Sequence, residues 1–575
     1  MFHPTPPPLQ AVRRLGGWAV FGSLPSTYRP THLLSYRLLA AAIVACVASV
    51  VTPAHAQYPD ARLVPSGALS VSFEPRYMNY RERLDAGGTL EPLGTDFSDS
   101  AAGARLFPTL VTSQDAVRAM LGDDSYAMTA GAFQTALDAD IRTFPFNFRF
   151  GLSSRITLTA SIPVVTTRAQ VSFVVDSASA NVGWNQVATA AGNVQAATQI
   201  QTLLADLESA AQFVEAQIAA GAYGCPSSPT CTAAQDAVTR ARAMAANLSG
   251  LSGLDAAGTV APELPPFAPL ASSAAGAAIV QAIATLSTEL QSLGAPALTA
   301  SFPLPTGTLG TDDVGSVLSD PEFGYEALPL AFTRFRQKLG DVELGLRYGL
   351  VQRSATRAVV FATARLPTGT LDDPDNFVDI GTGDRQTDVE LGFEGFVQAG
   401  SFVALAASAA YNFQFSQQLP RRITSHDRPF APLSTLEDVN RNLGDMLWVG
   451  LYPSLRLAPA FTAYGSATYF RRSADRVTLA GTSPGSSPDP AVLEFETSME
   501  SMGFGGGIAY HAVRASGLPV EAGVDYRTVF SGSGGQMPKS TSLHFYLRLS
   551  WRIFGGGSAP AGEPPGQSPA GPPIS

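Results

Sequence analysis

The sequence predicts an all-β transmembrane barrel of about twelve antiparallel strands, with a large α-helical insertion on the extracellular side. Three observations lead to this fold class: apolar and polar residues alternate in many segments, the connections between these segments are short and long in turn, and the chain opens with an export signal. Alternation with a period of two places successive side chains on opposite faces of a strand. In a membrane barrel one face meets lipid and the other a polar interior, over segments of about 10 residues.

The first element is a secretory signal peptide, predicted at residues 1–56. The apolar run Leu38–Val51 follows Arg37 and precedes the small-residue site Ala54–Ala56, after which we expect cleavage. A basic residue, a short apolar stretch and a small-residue site are typical of signal peptides, and this run is too short to cross a bilayer comfortably. Two alternatives stay open: a start codon further downstream, and a lipoprotein site with Cys46 acylated.

Twelve strands follow from the alternation. In one of them Ile156, Leu158 and Ala160 alternate with small polar residues, and in the last Leu543 and Phe545 begin a similar series. The predicted strands are 66–80, 141–151, 155–167, 342–352, 356–366, 386–398, 402–415, 445–457, 460–472, 495–510, 519–532 and 541–554.

The connections between these strands alternate in length. The long connections are 81–140, 168–341, 367–385, 416–444, 473–494 and the shorter 533–540. Bacterial barrels have an even number of strands, short periplasmic turns and long outer loops. The pattern therefore predicts a bacterial outer-membrane protein whose N- and C-termini are both periplasmic.

The longest connection is predicted to be a helical insertion. Ala-rich stretches with apolar residues at helical spacing predict helices at 193–220, 232–248 and 271–293. Cys225 and Cys231 remain after signal cleavage, and an even pair in an oxidising compartment predicts a disulfide that staples the first two helices into a hairpin. The insertion is either a packed helical cap with a structural role, or a lid or a module that contacts a receptor.

The chain is therefore divided into five parts. They are the signal peptide at 1–56, three strands and a long outer loop at 57–167, the stapled insertion at 168–341, nine strands at 342–554 and a disordered Gly/Pro tail at 555–575.

Alternation also predicts which polar side chains face the barrel interior. The predicted lumen-lining residues are Asn147, Arg149, Glu343, Arg347, Arg365, Asp388, Glu390, Glu394, Glu521, Asp525, Arg527, Arg548 and Arg552. Acids and bases are nearly balanced, which predicts ion pairs across the lumen rather than a charge filter of one sign. Twelve strands enclose a narrow lumen, so these pairs either plug it or leave a pore for small solutes.

Several other functions are disfavoured. A net charge of −10 argues against nucleic-acid binding. The histidines of the mature chain, His426, His511 and His544, accompany no serine-centred motif, so we expect no catalytic residue and no enzyme activity. The acidic run 372–375 is a candidate for a hard cation, but acidic turns are common, so we expect no metal and no cofactor.

Five segments carry a family resemblance: Leu339–Tyr348, Arg365–Gly369, Gly381–Asp384, Asp388–Gly392 and the pair Asp427-Arg428. They resemble the outer-membrane barrel family of transporters from the meta-cleavage pathway of phenol degradation. The resemblance covers about residues 340–554 and the hairpin at 141–167. It implies passage of small organic compounds across the outer membrane.

These observations predict an outer-membrane channel for small apolar or aromatic organic compounds. Its expected partners are outer-membrane lipid, a small-molecule solute and the barrel-assembly machinery. The alternative function is a surface anchor, in which the barrel presents the helical insertion as a binding or adhesion module.

Overall fold

The structure is a computed structural model. It describes residues 59–188, 193–328, 330, 334–425, 428–481, 489–513, 519–535 and 537–554. The predicted signal peptide, the predicted C-terminal tail and the pair His426-Asp427 lie outside the described residues.

Twelve antiparallel strands close into a barrel, which confirms the predicted fold class. They are β1 (Ala68–Phe73 and Arg76–Tyr80), β2 (Ala132–Gly151), β3 (Ile156–Asp176), β4 (Arg334–Leu339 and Val342–Gln352), β5 (Thr356–Leu366), β6 (Asp388–Ala399), β7 (Val403–Gln414), β8 (Met446–Ala458), β9 (Phe461–Arg472), β10 (Met499–Val513), β11 (Pro519–Ser533) and β12 (Thr541–Arg552). Each strand pairs with its neighbours in the chain, and β1 closes the ring by pairing with β12, where Leu69 lies opposite Trp551. Closure leaves no strand edge exposed.

The two ends of the barrel differ in their connections. At one end, here called the turn end, residues 152–155, 353–355 and 400–402 join neighbouring strands. At the other, the loop end, long segments leave the barrel. The described ends of the chain both lie at the turn end, because Gly67 donates to the carbonyl of Gly151 and accepts from the amide of Ile553.

Large apolar side chains project outward from all twelve strands and form the surface that we call the apolar belt. One member from each strand, in chain order, is Phe73, Phe148, Leu158, Leu344, Val360, Leu391, Leu405, Leu451, Phe461, Phe504, Val524 and Phe545. Leu451, for example, is 49% exposed. Soluble monomers rarely expose apolar patches larger than a few hundred Å², whereas a band of this kind is the lipid-facing surface of a membrane barrel.

Five helices lie in the loop-end segments. They are α1 (Val111–Leu121), α2 (Asn193–Ala219), α3 (Pro229–Ser252), α4 (Ala274–Ser292) and α5 (Thr311–Ser319). The structure has α2, α3 and α4 where helices were expected, while α1 and α5 were not foreseen. A disulfide joins Cys225 to Cys231, and Ser228 caps α3 by accepting a hydrogen bond from the Cys231 amide at 3.0 Å. No helix among the described residues has the length and apolarity needed to cross a membrane.

One apolar core joins the helices to the other loop-end segments, and together they form the assembly that we call the cap. Its buried residues come from α1–α5 and also include Phe97, Phe107, Phe133 and Phe430. The core is therefore built from four of the long connections rather than from the insertion alone.

Three strand boundaries lie well outside the predicted ones, and one of them is the start of β4, at Arg334 rather than at 342. β2 begins at Ala132 rather than at 141, and β3 continues to Asp176 rather than ending at 167. The additional residues pair with one another and carry Val171 and Phe173 into the cap core. The insertion therefore starts after Asp176, because burial in the cap extends this hairpin beyond the barrel.

Short strands at the loop end were also missed by the sequence prediction. In one small sheet, Glu82–Leu84 pairs with both Leu90–Pro92 and Met537–Pro538. In a second, Leu436–Asn442 is the central strand between Gln417–Arg422 and Arg476–Leu479. In a third, Val182–Trp184 pairs with Phe267–Pro269. They give the loops regular hydrogen bonding where composition indicated only turns.

Candidate functional site in the barrel interior

A cavity of about 670 Å³ lies inside the barrel toward the turn end, with walls from β2–β12 and from residues 59–62. We call it the turn-end cavity. A second cavity of about 150 Å³ lies against β1 and β7–β12. Phe361 and Ser408 line both, so they stand at the boundary between the two spaces.

The structure distributes the predicted lumen residues over several places. Those that line the turn-end cavity are Asn147, Arg149, Glu343, Arg347, Glu394, Glu521 and Arg548. Asp525 and Arg527 line the second cavity, and Arg365, Asp388 and Glu390 are buried. Arg552 is the exception: it is exposed at the last residue of β12, where it lies opposite Ala68 at the turn end of the barrel wall.

Arg347 on β4 reaches across β5 to Glu394 on β6. Both terminal guanidinium nitrogens, Nη1 and Nη2, donate to the Glu394 carboxylate, with Nη1 donating to Oε1 at 3.0 Å. Such a two-point contact fixes both side chains in orientation. The Arg347 guanidinium also lies 5.6 Å from the centre of the Phe361 ring, which adds an aromatic wall beside the charge pair.

Arg365 forms a second ion-pair row on the same strands. Glu343, Arg365 and Asp388 lie directly opposite one another on β4, β5 and β6. Arg365 donates to Asp388 at 2.9 Å and to Glu343 at 3.1 Å, and is 8% exposed. Register therefore places one guanidinium between two carboxylates, as expected for a balanced lumen.

Glu521 is the centre of a third group, near the turn end. Arg548 donates to Oε2 of Glu521 at 2.6 Å, and the ring Nδ1 of His511 lies 3.1 Å from Oε1. Arg62, from the start of the described chain, contacts His511 Nε2 at 2.9 Å and lies 3.9 Å from Glu521. Neither Arg62 nor His511 was among the predicted lumen residues.

Asp525 organises the wall of the second cavity. It accepts hydrogen bonds from Tyr464 Oη at 3.1 Å and from Arg527 Nε at 2.9 Å, and it lies 2.9 Å from His544 Nδ1. A Cβ at Gly507 would lie 2.7 Å from the Asp525 Cβ and 2.8 Å from the Tyr464 hydroxyl. Glycine is therefore required on β10 to leave room for this group.

A short segment, Pro59–Val64, enters the turn end of the barrel, and we call it the N-terminal strap. Ala61 is fully buried and its carbonyl accepts a hydrogen bond from Gln352 at 3.1 Å. The carbonyl of Asp60 accepts one from Arg357 Nε at 2.6 Å. Sequence analysis missed the strap, although the charged residues Asp60 and Arg62, a few positions after the predicted cleavage site, are a signal that could have drawn attention to it.

The residues that carry the family resemblance meet at the rim of the barrel. Asp341 accepts hydrogen bonds from the amides of Gly369 at 2.7 Å and Asp384 at 3.2 Å. A Cβ at Gly383 would collide with the Asp341 carboxylate. The spacing of glycine and aspartate in this chain thus ties the two ends of one loop to β4, which is a structural role.

The acidic run 372–375 does not form a free cation site. Asp372 pairs with Arg421 and Asp375 with Arg422, each at 2.7 Å. Guanidinium groups therefore occupy the carboxylates that a cation would need. Among the described residues, no group of three or more His, Cys, Asp or Glu is placed to hold a metal ion.

Two loop-end carboxylates have shifted pKa values. Burial alone would raise the pKa of Asp475, but Arg472 and Arg441, the latter donating to it at 3.0 Å, bring it below its ordinary value. Burial raises the pKa of Glu496 to about 7, although the nearby charge of Arg83 lowers it. The loop end thus combines a strongly ionised acid with a weakly ionised one.

Solved structures similar to this chain include an outer membrane channel and two toluene transporters. An outer membrane channel from Pseudomonas putida F1 has 8% identity and a TM-score of 0.39, over 86% of this chain and 99% of that one. The toluene transporter TbuX of Ralstonia pickettii has 8% identity and a TM-score of 0.26, over 84% and 90%. The toluene transporter TodX of Pseudomonas putida has 10% identity and a TM-score of 0.25, over 85% and 90%.

No protein-family model matches the sequence, and no curated protein matches it. Membership of the phenol-degradation transporter family therefore stays a prediction.

Proposed function

We propose that this protein is an outer-membrane channel for small organic compounds, with apolar or aromatic solutes as the favoured class. The observation that carries the proposal is a closed twelve-stranded barrel that combines the apolar belt outside with a cavity of about 670 Å³ inside. The belt suits lipid, and the cavity volume falls within the range of about 300–1,000 Å³ that small-molecule sites occupy.

The orientation that we propose places the turn end in the periplasm and the cap outside the cell. Short turns at one end and long segments at the other support it, since this asymmetry is the rule in bacterial barrels. The two described chain ends at the turn end are consistent with export through the periplasm and insertion from that side.

The cap fits a lid better than an independent adhesion module. Its core is continuous from Phe97 before β2 to Phe430 between β7 and β8, and these two rings lie 5.7 Å apart. A module that only bound an external partner would have no need to share its core with the other barrel loops. Removal of residues 185–300 should therefore alter permeability, whereas an anchor would lose surface binding with its permeability unchanged.

Two measurements test the channel. Detergent gels of boiled and unboiled outer-membrane fractions should show the mobility shift of a closed barrel. Planar-bilayer recordings of the purified protein should then show single-channel current, and benzyl alcohol should reduce that current by entering the same lumen.

A variant that lacks Pro59–Val64 serves as the open control in these recordings. It removes the N-terminal strap from the turn end and leaves every barrel strand in place, so it should conduct more than the full chain. Absence of current from both proteins, with the gel shift present, would refute transport while leaving the barrel. Absence of the gel shift would refute both.

A further inference from the structure

Arg149 has an unusual place in the turn-end cavity. It faces the interior from β2, directly opposite Ser70 on β1 and Thr159 on β3, and Gly345 on β4 is the next position along the same row. None of these neighbours carries a charge. The row therefore offers Arg149 no carboxylate of its own.

The carboxylates elsewhere in the cavity wall are already paired. The pairs are Asp60 with Arg62 at 2.9 Å, Glu343 with Arg365 at 3.1 Å, Glu521 with Arg548 at 2.6 Å, and Glu394 with Arg347 at both guanidinium nitrogens. Within the part of the chain that the structure describes, Arg149 has neither a hydrogen bond nor an ion pair. The charges of Arg548 and Arg347 lie near enough to repel Arg149, and those of Glu74 and Glu394 lie near enough to attract it without forming an ion pair.

An arginine in this position is a site for an anion. The guanidinium group carries five donors in a planar fork that matches a carboxylate at two points. A ligand carboxylate would pair with the Arg149 guanidinium, and its negative charge would offset the repulsion from Arg548 and Arg347.

The same cavity has an aromatic wall. The Phe361 ring faces the Arg347 guanidinium at 5.6 Å, and the Phe396 ring lies 3.8 Å below the guanidinium of Arg357. Both rings line the turn-end cavity. The space is thus large enough for a small ligand, cationic at one point and aromatic at others.

From these observations we propose that the turn-end cavity binds an aromatic carboxylate, with the carboxylate on Arg149 and the ring against the aromatic wall. This inference rests on the proposed function, since it names the class of solute that the channel would take. It narrows "apolar or aromatic" to an amphipathic anion such as a benzoate.

The test measures binding of sodium benzoate to the purified full-length barrel in detergent by titration calorimetry. Benzyl alcohol is the neutral comparison, and sodium chloride the inorganic anion. We expect benzoate to bind more tightly than benzyl alcohol, and Arg149→Gln to weaken benzoate binding about 10- to 100-fold, the range for loss of a charged hydrogen-bonded partner.

Two further variants make the result specific. Arg155→Gln removes the same charge at an exposed turn residue outside the cavity and should bind benzoate like the unaltered chain. Arg149→Lys keeps the charge but loses the fork, so its affinity should be intermediate; it also serves if the Gln variant shows no heat-dependent mobility shift.

The outcomes separate this site from the channel itself. Equal affinity of Arg149→Gln and the unaltered chain, or chloride competing with benzoate at equal concentration, would overturn the aromatic-carboxylate site. Current with no benzoate binding would overturn the site and keep the channel. Benzoate binding that depends on Arg149, without any current, would keep the site and overturn the channel.

Discussion

Replacement of Phe107 by Ala tests whether the cap has one continuous core. Phe107 is fully buried, and its ring centre lies 5.3 Å from those of Phe267 and Phe430, 5.8 Å from that of Phe133 and 6.2 Å from that of Tyr325. These partners come from β2, from the insertion and from the loop between β7 and β8. The single ring therefore joins segments that are far apart in the sequence.

The expected cost follows from complete burial of the ring. Truncation of a buried Phe to Ala typically costs about 3–5 kcal/mol through lost burial and the cavity left behind. Since about 1.4 kcal/mol corresponds to a tenfold change in an equilibrium constant, the open population of the cap should rise between about 140-fold and about 3,700-fold. The barrel should remain closed, because its strand ladder does not include Phe107.

Limited proteolysis measures this change. Trypsin cleavage after Arg240 and Arg242, which lie on α3, requires the helix to open, and its rate follows the open population when opening is fast. We expect cleavage of Phe107→Ala to accelerate by the factor above while the barrel keeps its mobility shift on boiling.

Phe213→Ala is the matched control, since the same truncation is made on α2 at a side chain that is 36% exposed. It should accelerate cleavage by much less. Equal rates for the two variants would refute a shared core centred on Phe107. Loss of the barrel's mobility shift in Phe107→Ala would refute the separation of cap stability from barrel stability.

Three other predictions concern charges. Burial raises the pKa of Glu496 to about 7 from an ordinary value of about 4.3, so the folded loop favours the protonated acid. The protonated acid therefore stabilises the fold at low pH, and this contribution is lost as the pH rises through about 7. Proteolysis of this loop should be faster at pH 8 than at pH 5, and Glu496→Gln should remove the difference. Asp475→Ala removes the carboxylate that pairs with the Arg472 guanidinium, a group only 1% exposed, and leaves that charge buried without this partner. We expect the free energy of unfolding of the loop-end sheet to fall by about 3 kcal/mol, measured by hydrogen exchange. Unchanged amide protection would contradict this role. Arg62→Ala removes partly exposed contacts to Glu521, which contribute about 1 kcal/mol or less. Release of the strap, and with it the channel current, should therefore rise by up to about fivefold. A current equal to that of the unaltered chain would show that these contacts do not hold the strap.

The interior residues show that alternation predicts which face of a strand a side chain takes but not which partner it binds. Within β4–β6 it correctly identified Glu343, Arg365 and Asp388 as side chains on one face, because a strand turns every second residue to the same side. It could not foresee that Arg365 takes both carboxylates, since this depends on the register between strands. Arg552 has the same parity on β12 as Arg548, but it is exposed because it lies at the turn end of the strand.

The cap and the strap needed the tertiary structure. Helical spacing located α2, α3 and α4, but nothing in the spacing connected them to Phe430, which lies about two hundred residues further along the chain. The strap has too few residues for any periodic signal, and hydrogen bonds to strands far away in sequence hold it in place.

By itself, the sequence determined the strand number, the apolar belt and the two unlike ends of the barrel, since each is a local pattern that strand geometry imposes. Only the tertiary structure decided which charges find partners. Ion pairing depends on distance in the closed barrel, where the four carboxylates of the cavity wall pair with other arginines, while Arg149 forms no ion pair among the described residues. Closure of the barrel therefore leaves the Arg149 charge facing the cavity, and this charge is the basis for the proposed aromatic carboxylate ligand.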